Sequence, residues 1–303
     1  MLPCVLCGGI PLAPAVKGKI FFLRHVHRKI PYHFIEKLYR IMYTFIMRNR
    51  LTNELAVCGF NAVTALAEYH PEQINRLFLR EDRLAFFTKV CKNLAERKRP
   101  YKICEDDELE RISKSTHHQG IVAMIFSPEV QPLSREDLQQ WAEEKSAGII
   151  LHSLGNDHNM GAIIRSAAFF DVKYIVISGE DGEVSLSTST YRVAEGGMEH
   201  VTVRSVRNTA AFIKAASKEL LTIGTDTRAR QRIGNISGIV EERQKSATGR
   251  PGIALVIGNE ETGLPPEVKS ACSVLVRVPG TGLIESLNAA QAATLFMHRV
   301  FEL

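Results

Sequence analysis

Two short apolar runs near the C-terminus, each closing on a glycine-marked loop, constrain this chain more than any other feature. The first, Ile253 to Ile257, stops at Gly258 and gives way to GNEETG (Gly258 to Gly263) and then Pro265-Pro266. The second, Val274 to Val278, breaks into VPGTGLIESLNAAQAA (Val278 to Ala293), with a helical pattern over Glu285 to Phe301. Continuous apolar runs of this length, bounded by Gly and Pro, read as strands buried on both faces. Such strands belong to parallel sheets covered by helices, which bind ligands in the loops at their carboxyl ends. The C-terminus therefore presents two adjacent site-building loops.

The pattern upstream supports this reading. From Ala147 onward the chain alternates: strand over Ile149 to Leu154, helix over Asn159 to Phe170, strand over Tyr174 to Ser178, helix over Thr188 to Ala194. A strand over Val201 to Val203, a helix over Thr209 to Leu220 and a strand over Leu221 to Gly224 follow, before a charged stretch from Arg228 to Arg250. Alternation of this kind predicts an open α/β sheet. No G-x-G-x-x-G follows the first strand and no G-x-x-x-x-G-K-[ST] occurs, which argues against an ordinary dinucleotide or P-loop site.

Residues 48–126 read as a separate small α/β domain. Its predicted elements are a helix over Phe60 to Tyr69, a strand over Ile74 to Leu79 and a helix over Arg83 to Arg97. A short strand over Tyr101 to Cys104, a helix over Asp106 to Ser113 and a strand over Gly120 to Phe126 complete it. From residue 52 to 126 basic and acidic residues balance at eleven each, so charge alone predicts no RNA binding, although Lys98, Arg99, Lys102 and Lys114 are candidates for phosphate contact. His117 and His118 read as polar caps of a turn. Residues 127–146, with two prolines, many charges and Trp141, read as a linker entering a short helix, leaving 147–303 as the main domain.

Residues 1–47 differ from the rest. Of the chain's 38 basic and 33 acidic residues, nine and one fall within the first fifty, so the net charge of +5 is an N-terminal property. Such a tail either attracts nucleic acid or is a solvated extension. Helical spacing over residues 32–46 and the start of domain-like sequence after Met47 leave Met47 as a second candidate start. Cys4-x-x-Cys7 with His25 and His27 lacks a second ligand pair at zinc spacing, and no metal is expected. The Ala13-Pro14-Ala15 step lacks the flanks of a secretory signal. No apolar run reaches membrane length, and scattered cysteines in a chain of 303 residues fit a reducing, cytoplasmic setting.

Three blocks now stand together: NDHNMGAIIRSAAFFDV (Asn156 to Val172), ALVIGNEETGLPPEV (Ala254 to Val268) and VPGTGLIESLNAAQAA. In this order they resemble the three motifs of the SpoU/TrmH family, which methylates the ribose 2′-hydroxyl of tRNA or rRNA. VAEGGME (Val193 to Glu199) looks like the small-residue block that family carries between its first and second motifs. Gly59-Phe60-Asn61-Ala62-Val63 and His118-Gln119-Gly120-Ile121-Val122-Ala123 are similar to parts of the small RNA-binding domain many members place first. The resemblance implies a knotted α/β methyltransferase domain, with the C-terminal segment threaded through a loop, preceded by a small α/β RNA-binding domain. It implies S-adenosylmethionine as donor, RNA as substrate and a homodimer with the active site near the subunit interface.

It also implies roles for residues. Backbone groups at Gly258, Val278 and Leu287 would hold the adenosine part of the donor, with Val278 and Leu287 as apolar walls or, on their own residue types, plain core. Gly263 and Gly282 would let the same loops turn sharply. Arg165 lies among Met160, Ala162, Ile163, Ile164, Ala167 and Ala168, where a charge is costly unless paired, so it is either a salt-bridge partner or the family's catalytic arginine. Guanidinium stays protonated, so its chemistry would be to place phosphate and hydroxyl and to stabilise negative charge on oxygen. Asn159 and Ser286 are candidate helix caps as well as site residues; Glu260 would pair with an arginine or fix a loop, and Asn288 would bond near the donor or the hydroxyl. Three departures stand out: Ala289-Ala290-Gln291 follows Asn288 where Val-Ser is common, His158 stands where Pro is common, and Asp171 where Gly is usual. A non-catalytic RNA-binding or ribosome-assembly protein retaining the fold is the alternative from another class.

Overall fold

The structure, a computed structural model, describes residues 53–179, 184–245 and 251–303. The basic N-terminal stretch, its Cys-x-x-Cys pair and the helical pattern over 32–46 lie outside the described residues.

The first sheet holds four strands, β1 (Glu54–Cys58), β2 (Ile74–Leu79), β3 (Tyr101–Ile103) and β4 (Ile121–Phe126), in the order β1-β4-β2-β3. β4 is antiparallel to both β1 and β2, and β3 joins β2 in parallel. Helices α1 (Phe60–Tyr69), α2 (Thr88–Glu96) and α3 (Asp106–Ser113) cover it. The predicted helix over Arg83 to Arg97 is shorter than its apolar spacing suggested. A 3₁₀ turn occupies Glu81–Arg83, and regular helix begins only at Thr88. Phe87 is buried there, with its ring edge-on to Phe60 at 5.8 Å. His118 caps the turn as its sequence predicts, from a buried position. It is 4% exposed, and its Nδ1 accepts from the Gly120 amide at 3.1 Å.

The stretch read as a linker contains α4 (Arg135–Glu143), started by a capping box between Ser134 and Asp137. Its Trp141 is fully buried and stacks on Tyr174 with centroids 4.9 Å apart. The second sheet is seven-stranded and parallel throughout, in the order β7-β6-β5-β10-β8-β11-β9. Its strands are β5 (Ala147–Leu151), β6 (Val172–Ser178), β7 (Thr202–Val206), β8 (Leu220–Thr225), β9 (Gln231–Arg232), β10 (Gly252–Ile257) and β11 (Val274–Arg277). Every residue of β10 is buried, which its all-apolar sequence requires of a strand with a covered sheet on both sides.

The covering helices are α5 (Asp157–Phe169), α6 (Thr188–Ala194), α7 (Thr209–Ala216), α8 (Ile236–Lys245), α9 (Pro266–Ala271) and α10 (Ala289–Phe301). The charged stretch after Arg228 thus holds a strand and a helix that sequence alone did not suggest; Ile236 and Val240 are the two residues α8 buries. The terminal helix begins at Ala289 rather than Glu285, because Asn288 caps it by accepting from the Ala290 amide at 2.8 Å. A neutral cap of this kind contributes about 1 kcal/mol.

Chain order and sheet order diverge where it matters. After β5 the chain moves outward through β6 and β7, returns at β8, and then inserts β10 between β5 and β8. It crosses to β11 beyond β8 and comes back to pack α10 against α5, where Ser166 and Thr294 hydroxyls bond at 2.9 Å. The loops after β5, β10 and β11 therefore meet at one carboxyl edge, at a reversal of strand order.

The two sheets share a seam. Residues 195–200, between α6 and β7, run along α1. The rings of Tyr69 and His200 meet edge-on at 4.7 Å, and His70 Nε2 lies 3.6 Å from Glu199 Oε2.

Candidate active site

The loop after β5 and the loop after β10 are laced together. The His152 amide donates to the Ile257 carbonyl at 2.9 Å, and Asn259 Nδ2 to the Ser153 carbonyl at 2.9 Å. Glu260 then reaches back across the same gap. One carboxylate oxygen accepts from the Gly155 amide at 3.1 Å and the other from Asn159 Nδ2 at 2.9 Å. Asn159 Oδ1 in turn accepts from Asn288 Nδ2 at 3.0 Å. One side chain from each of the three blocks thus forms the chain Asn288–Asn159–Glu260.

Asn159 is free for this because it does not cap α5. The cap is Asn156, whose side chain accepts from the His158 amide at 2.8 Å, and Asn159 sits one turn in. Ser286, the other candidate cap, is exposed and forms no hydrogen bond among the described residues; Asn288 has taken the cap of α10. Glu260 does not pair with an arginine. Both of its oxygens are engaged by amide donors, so it braces the two loops.

Gly258 is buried, and a Cβ there would stand 2.4 Å from the Gly263 carbonyl carbon. Only glycine permits that approach. Val278 is half-buried against the core, Leu287 is 48% exposed, and Gly282 sits at φ +85° in open space. Main-chain groups from 279 to 287 make no backbone hydrogen bond, and only the Leu283 amide reaches a side chain, Thr281 Oγ1, at 3.4 Å. Unused backbone donors and acceptors between two apolar side chains fit an adenosine.

Arg165 corrects its sequence reading. It is not buried: its side chain is 59% exposed, and Nη1 lies 3.3 Å from Glu195 Oε1. Met160, Ile163, Ile164 and Ala167 fill the inner face of α5, while Arg165 lies on the outer one with Phe169, which is 79% exposed. Glu195 was not among the candidate residues. Its signal was a charge between Ala194 and Gly196-Gly197 at a helix end, where αL backbone is wanted and glycine would be the undemanding choice.

Thiols offer no alternative nucleophile among the described residues. Burial pushes Cys58 up to about 11, with Arg192 opposing, and Cys272 up to about 12. Burial likewise raises the carboxyl of Glu199, against the pull of His70. No group of three His, Cys, Asp or Glu side chains among the described residues could hold a metal ion, and no described helix is long and apolar enough to cross a membrane.

Comparison with known proteins fits this geometry. The model of the SpoU rRNA methylase family matches residues 146–298, and that of the RNA 2′-O ribose methyltransferase substrate-binding domain matches residues 56–131. The 23S rRNA (guanosine-2′-O-)-methyltransferase RlmB of Nitrosomonas europaea is 28% identical over 252 residues, covering 83% of this chain and 92% of that protein. RlmB of Acinetobacter baylyi is 30% identical, covering 79% and 94%. Among solved structures, the SpoU methyltransferase AviRb of Streptomyces viridochromogenes in complex with AdoMet superposes with a TM-score of 0.61 at 19% identity, covering 85% of this chain and 94% of its own.

Fold and matched models together define a class, the knotted α/β RNA methyltransferases with a substrate-binding domain placed first. Within it, the chain belongs to the SpoU rRNA methylase family, S-adenosylmethionine-dependent enzymes that methylate the ribose 2′-hydroxyl of RNA.

Proposed function

We propose that the protein methylates a guanosine 2′-hydroxyl in large-subunit ribosomal RNA, with Arg165 as the catalytic residue and the loops after β10 and β11 as the donor site. The observation that carries this reading is the Asn288–Asn159–Glu260 chain, which ties the three blocks at one edge of the sheet and shares helix α5 with the exposed Arg165. The rRNA and guanosine assignments rest on the RlmB proteins, which align with most of this chain.

S-adenosylmethionine supplies an electrophilic methyl group on a sulfonium. Backbone at Gly258, Val278 and Leu287 would hold its adenosine, and Gly263 and Gly282 would shape the turns. Arg165 binds the phosphate next to the target ribose through its planar fork and stabilises negative charge on the 2′-oxygen. Asn159 and Glu260 hold the loops that align the two reactants, and alignment alone supplies much of the rate in such a displacement. Ser286, exposed beside Leu287, is left free to contact substrate or donor.

The active form we propose is a homodimer, working in the cytoplasm where rRNA is assembled. Phe169 at 79%, Phe301 at 61% and Leu295 at 43% exposure lie on the outer faces of α5 and α10, an apolar surface suited to a second copy.

Single-turnover transfer of labelled methyl to in-vitro transcribed large-subunit rRNA tests the assignment. Arg165→Ala and Arg165→Lys should both lose about 10²–10³-fold in rate, the usual cost of one such electrostatic group. Melting temperature and donor affinity should hold, because the side chain is exposed and is not among the proposed donor contacts. A stable, donor-binding Arg165→Ala protein with near wild-type rate overturns it.

A further inference from the structure

The carboxylate of Glu195 divides between two parts of the molecule. Oε1 faces Arg165 Nη1 at 3.3 Å, and Oε2 accepts from Asn61 Nδ2 at 3.1 Å. Asn61 lies on α1 of the substrate-binding domain, and Arg165 on α5 of the methyltransferase domain. One side chain therefore connects the substrate-binding domain to the arginine proposed to act on RNA.

Its backbone leaves little freedom to do otherwise. Glu195 ends α6 in the left-handed region, at φ 45° and ψ 45°, a conformation unfavourable for a side chain of its type. The two glycines after it are wedged from both sides. A Cβ at Gly196 would stand 2.8 Å from the Ala65 Cβ on α1, and one at Gly197 would stand 3.1 Å from the Arg165 Cα on α5. The segment lies flush against both helices, so the Glu195 carboxylate is fixed relative to each.

Stability does not account for the arrangement. Glu195 and Arg165 are 36% and 59% exposed, and exposed ion pairs contribute little to folding. No other carboxylate among the described residues pairs with Arg165. Released from Glu195, its guanidinium would sample many rotamers on the exposed face of α5. A carboxylate beside a phosphate-binding arginine also repels phosphate, so it is not there to raise RNA affinity.

We infer that Glu195 is a positioning residue: it holds Arg165 in its working direction, and Asn61 makes that hold depend on the seating of the substrate-binding domain. The inference rests on Arg165 being the catalytic residue. It assigns Glu195→Gln a split effect. Loss of the charge removes the ion pair, so kcat falls about tenfold, a modest misplacement on a scale where an ångström can cost a hundredfold. KM for RNA stays level or falls, because a repulsive charge has gone. Asn61→Ala, which leaves Glu195 and its charge in place, should lower kcat several-fold without lowering KM.

The test compares wild type, Glu195→Gln, Glu195→Asp and Asn61→Ala as full-length proteins, with large-subunit rRNA transcript and labelled S-adenosylmethionine. Glu195→Asp keeps the charge but is one methylene too short to span both partners, so it should recover part of the kcat lost in Glu195→Gln. A parallel fall of kcat and melting temperature would make Glu195 structural, and a rise of kcat/KM in Glu195→Gln would make it merely repulsive; either overturns the inference. Side-chain ¹⁵Nε resonances give a readout that needs no substrate, with Arg165 assigned as the signal missing from Arg165→Lys. Its motion should be restricted in wild type and free in Glu195→Gln. Equal mobility in the two would sink the inference even if the transcript proves not to be the substrate, whereas an ordered Arg165 with no rRNA methylation would fault only the substrate reading.

Discussion

The loops after β10 and β11 are neighbours with opposite characters. Residues 258–263 are braced by hydrogen bonds, although Glu261 and Thr262 face solvent. The Gly263 amide bonds the Asn259 carbonyl at 2.9 Å, and the Asn259 side-chain oxygen takes the Glu261 and Thr262 amides at 2.9 and 3.1 Å. Residues 279–288 are all exposed, Leu283 at 89% and Ile284 at 81%, and among the described residues only Asn288 ties them sideways, through Asn159, to Glu260 of the first loop. The difference teaches how the binding cost is divided. A braced loop is preorganised and loses little freedom when ligand arrives, whereas an open one is ordered by the ligand or by a partner subunit. On the proposed donor site, the first loop would set where the donor goes and the second would respond to its arrival.

Gly258→Ala should have the largest effect, since its Cβ would stand 2.4 Å from the Gly263 carbonyl carbon in the braced loop. Overpacking of this kind costs about 1–3 kcal/mol, and here no flexible side chain can yield, so the upper end is expected. Urea unfolding should register the loss, and calorimetry with S-adenosylmethionine should show at least about a tenfold weaker affinity, the equivalent of 1.4 kcal/mol. A variant as stable and as tight-binding as wild type would mean that this loop is not rigid.

Asn159→Ala cuts the one tie between the loops. It leaves Glu260 short of a donor and Asn288 short of an acceptor, and half-exposed groups of this kind cost about 1–3 kcal/mol at most when unpaired. Donor affinity should fall by a similar factor if the loops bind as a unit. Unchanged affinity with lowered stability would show that they bind independently.

Hydrogen exchange reads the contrast directly. Adding S-adenosylmethionine should slow exchange of the amides at 280–287 by about tenfold or more, while those at 258–263 change little, because local opening is costly only where structure already exists. Protection of the second loop before any donor is added, at a concentration where the protein is monomeric, would erase the contrast.

Much of this was legible in the sequence, and the gaps have physical causes. The strand ending at Gly258 and the helices over Phe60–Tyr69, Asp106–Ser113 and Thr188–Ala194 follow from apolar spacing and breakers, which act locally. The three blocks marked the segments that the structure brings together at one edge of the sheet. Their pairing did not show, because Asn159 and Glu260 are 101 residues apart and meet only through the insertion of β10. Arg165 was misread as buried because α5 is apolar nearly all round. Its outer face carries Phe169, so apolar composition there marks a surface open to a partner as well as a core. Glu195 escaped notice because its partners, Asn61 and Arg165, come from different domains, and no local pattern announces a contact of that kind.

The smallest effects come from two glycines of the open loop. A Cβ at either Gly280 or Gly282 would meet nothing within 4 Å, so neither substitution can clash. They differ in backbone: Gly282 stands at φ +85°, whereas Gly280 lies outside the left-handed region. Gly280→Ala should therefore be neutral or slightly stabilising, by about 0.4–1 kcal/mol at most, since it narrows the unfolded ensemble without straining the fold. Gly282→Ala should cost about 1 kcal/mol of strain, yet only if the loop is held in this conformation. An open loop can relax to a negative φ and escape most of that penalty in the free protein. It cannot do so once ordered around the donor. Melting curves without S-adenosylmethionine should then be nearly the same for the two variants, and saturating donor should separate them, Gly282→Ala gaining less in melting temperature than Gly280→Ala. If Gly282→Ala already melts well below Gly280→Ala in the free protein, the second loop is as firmly built as the first.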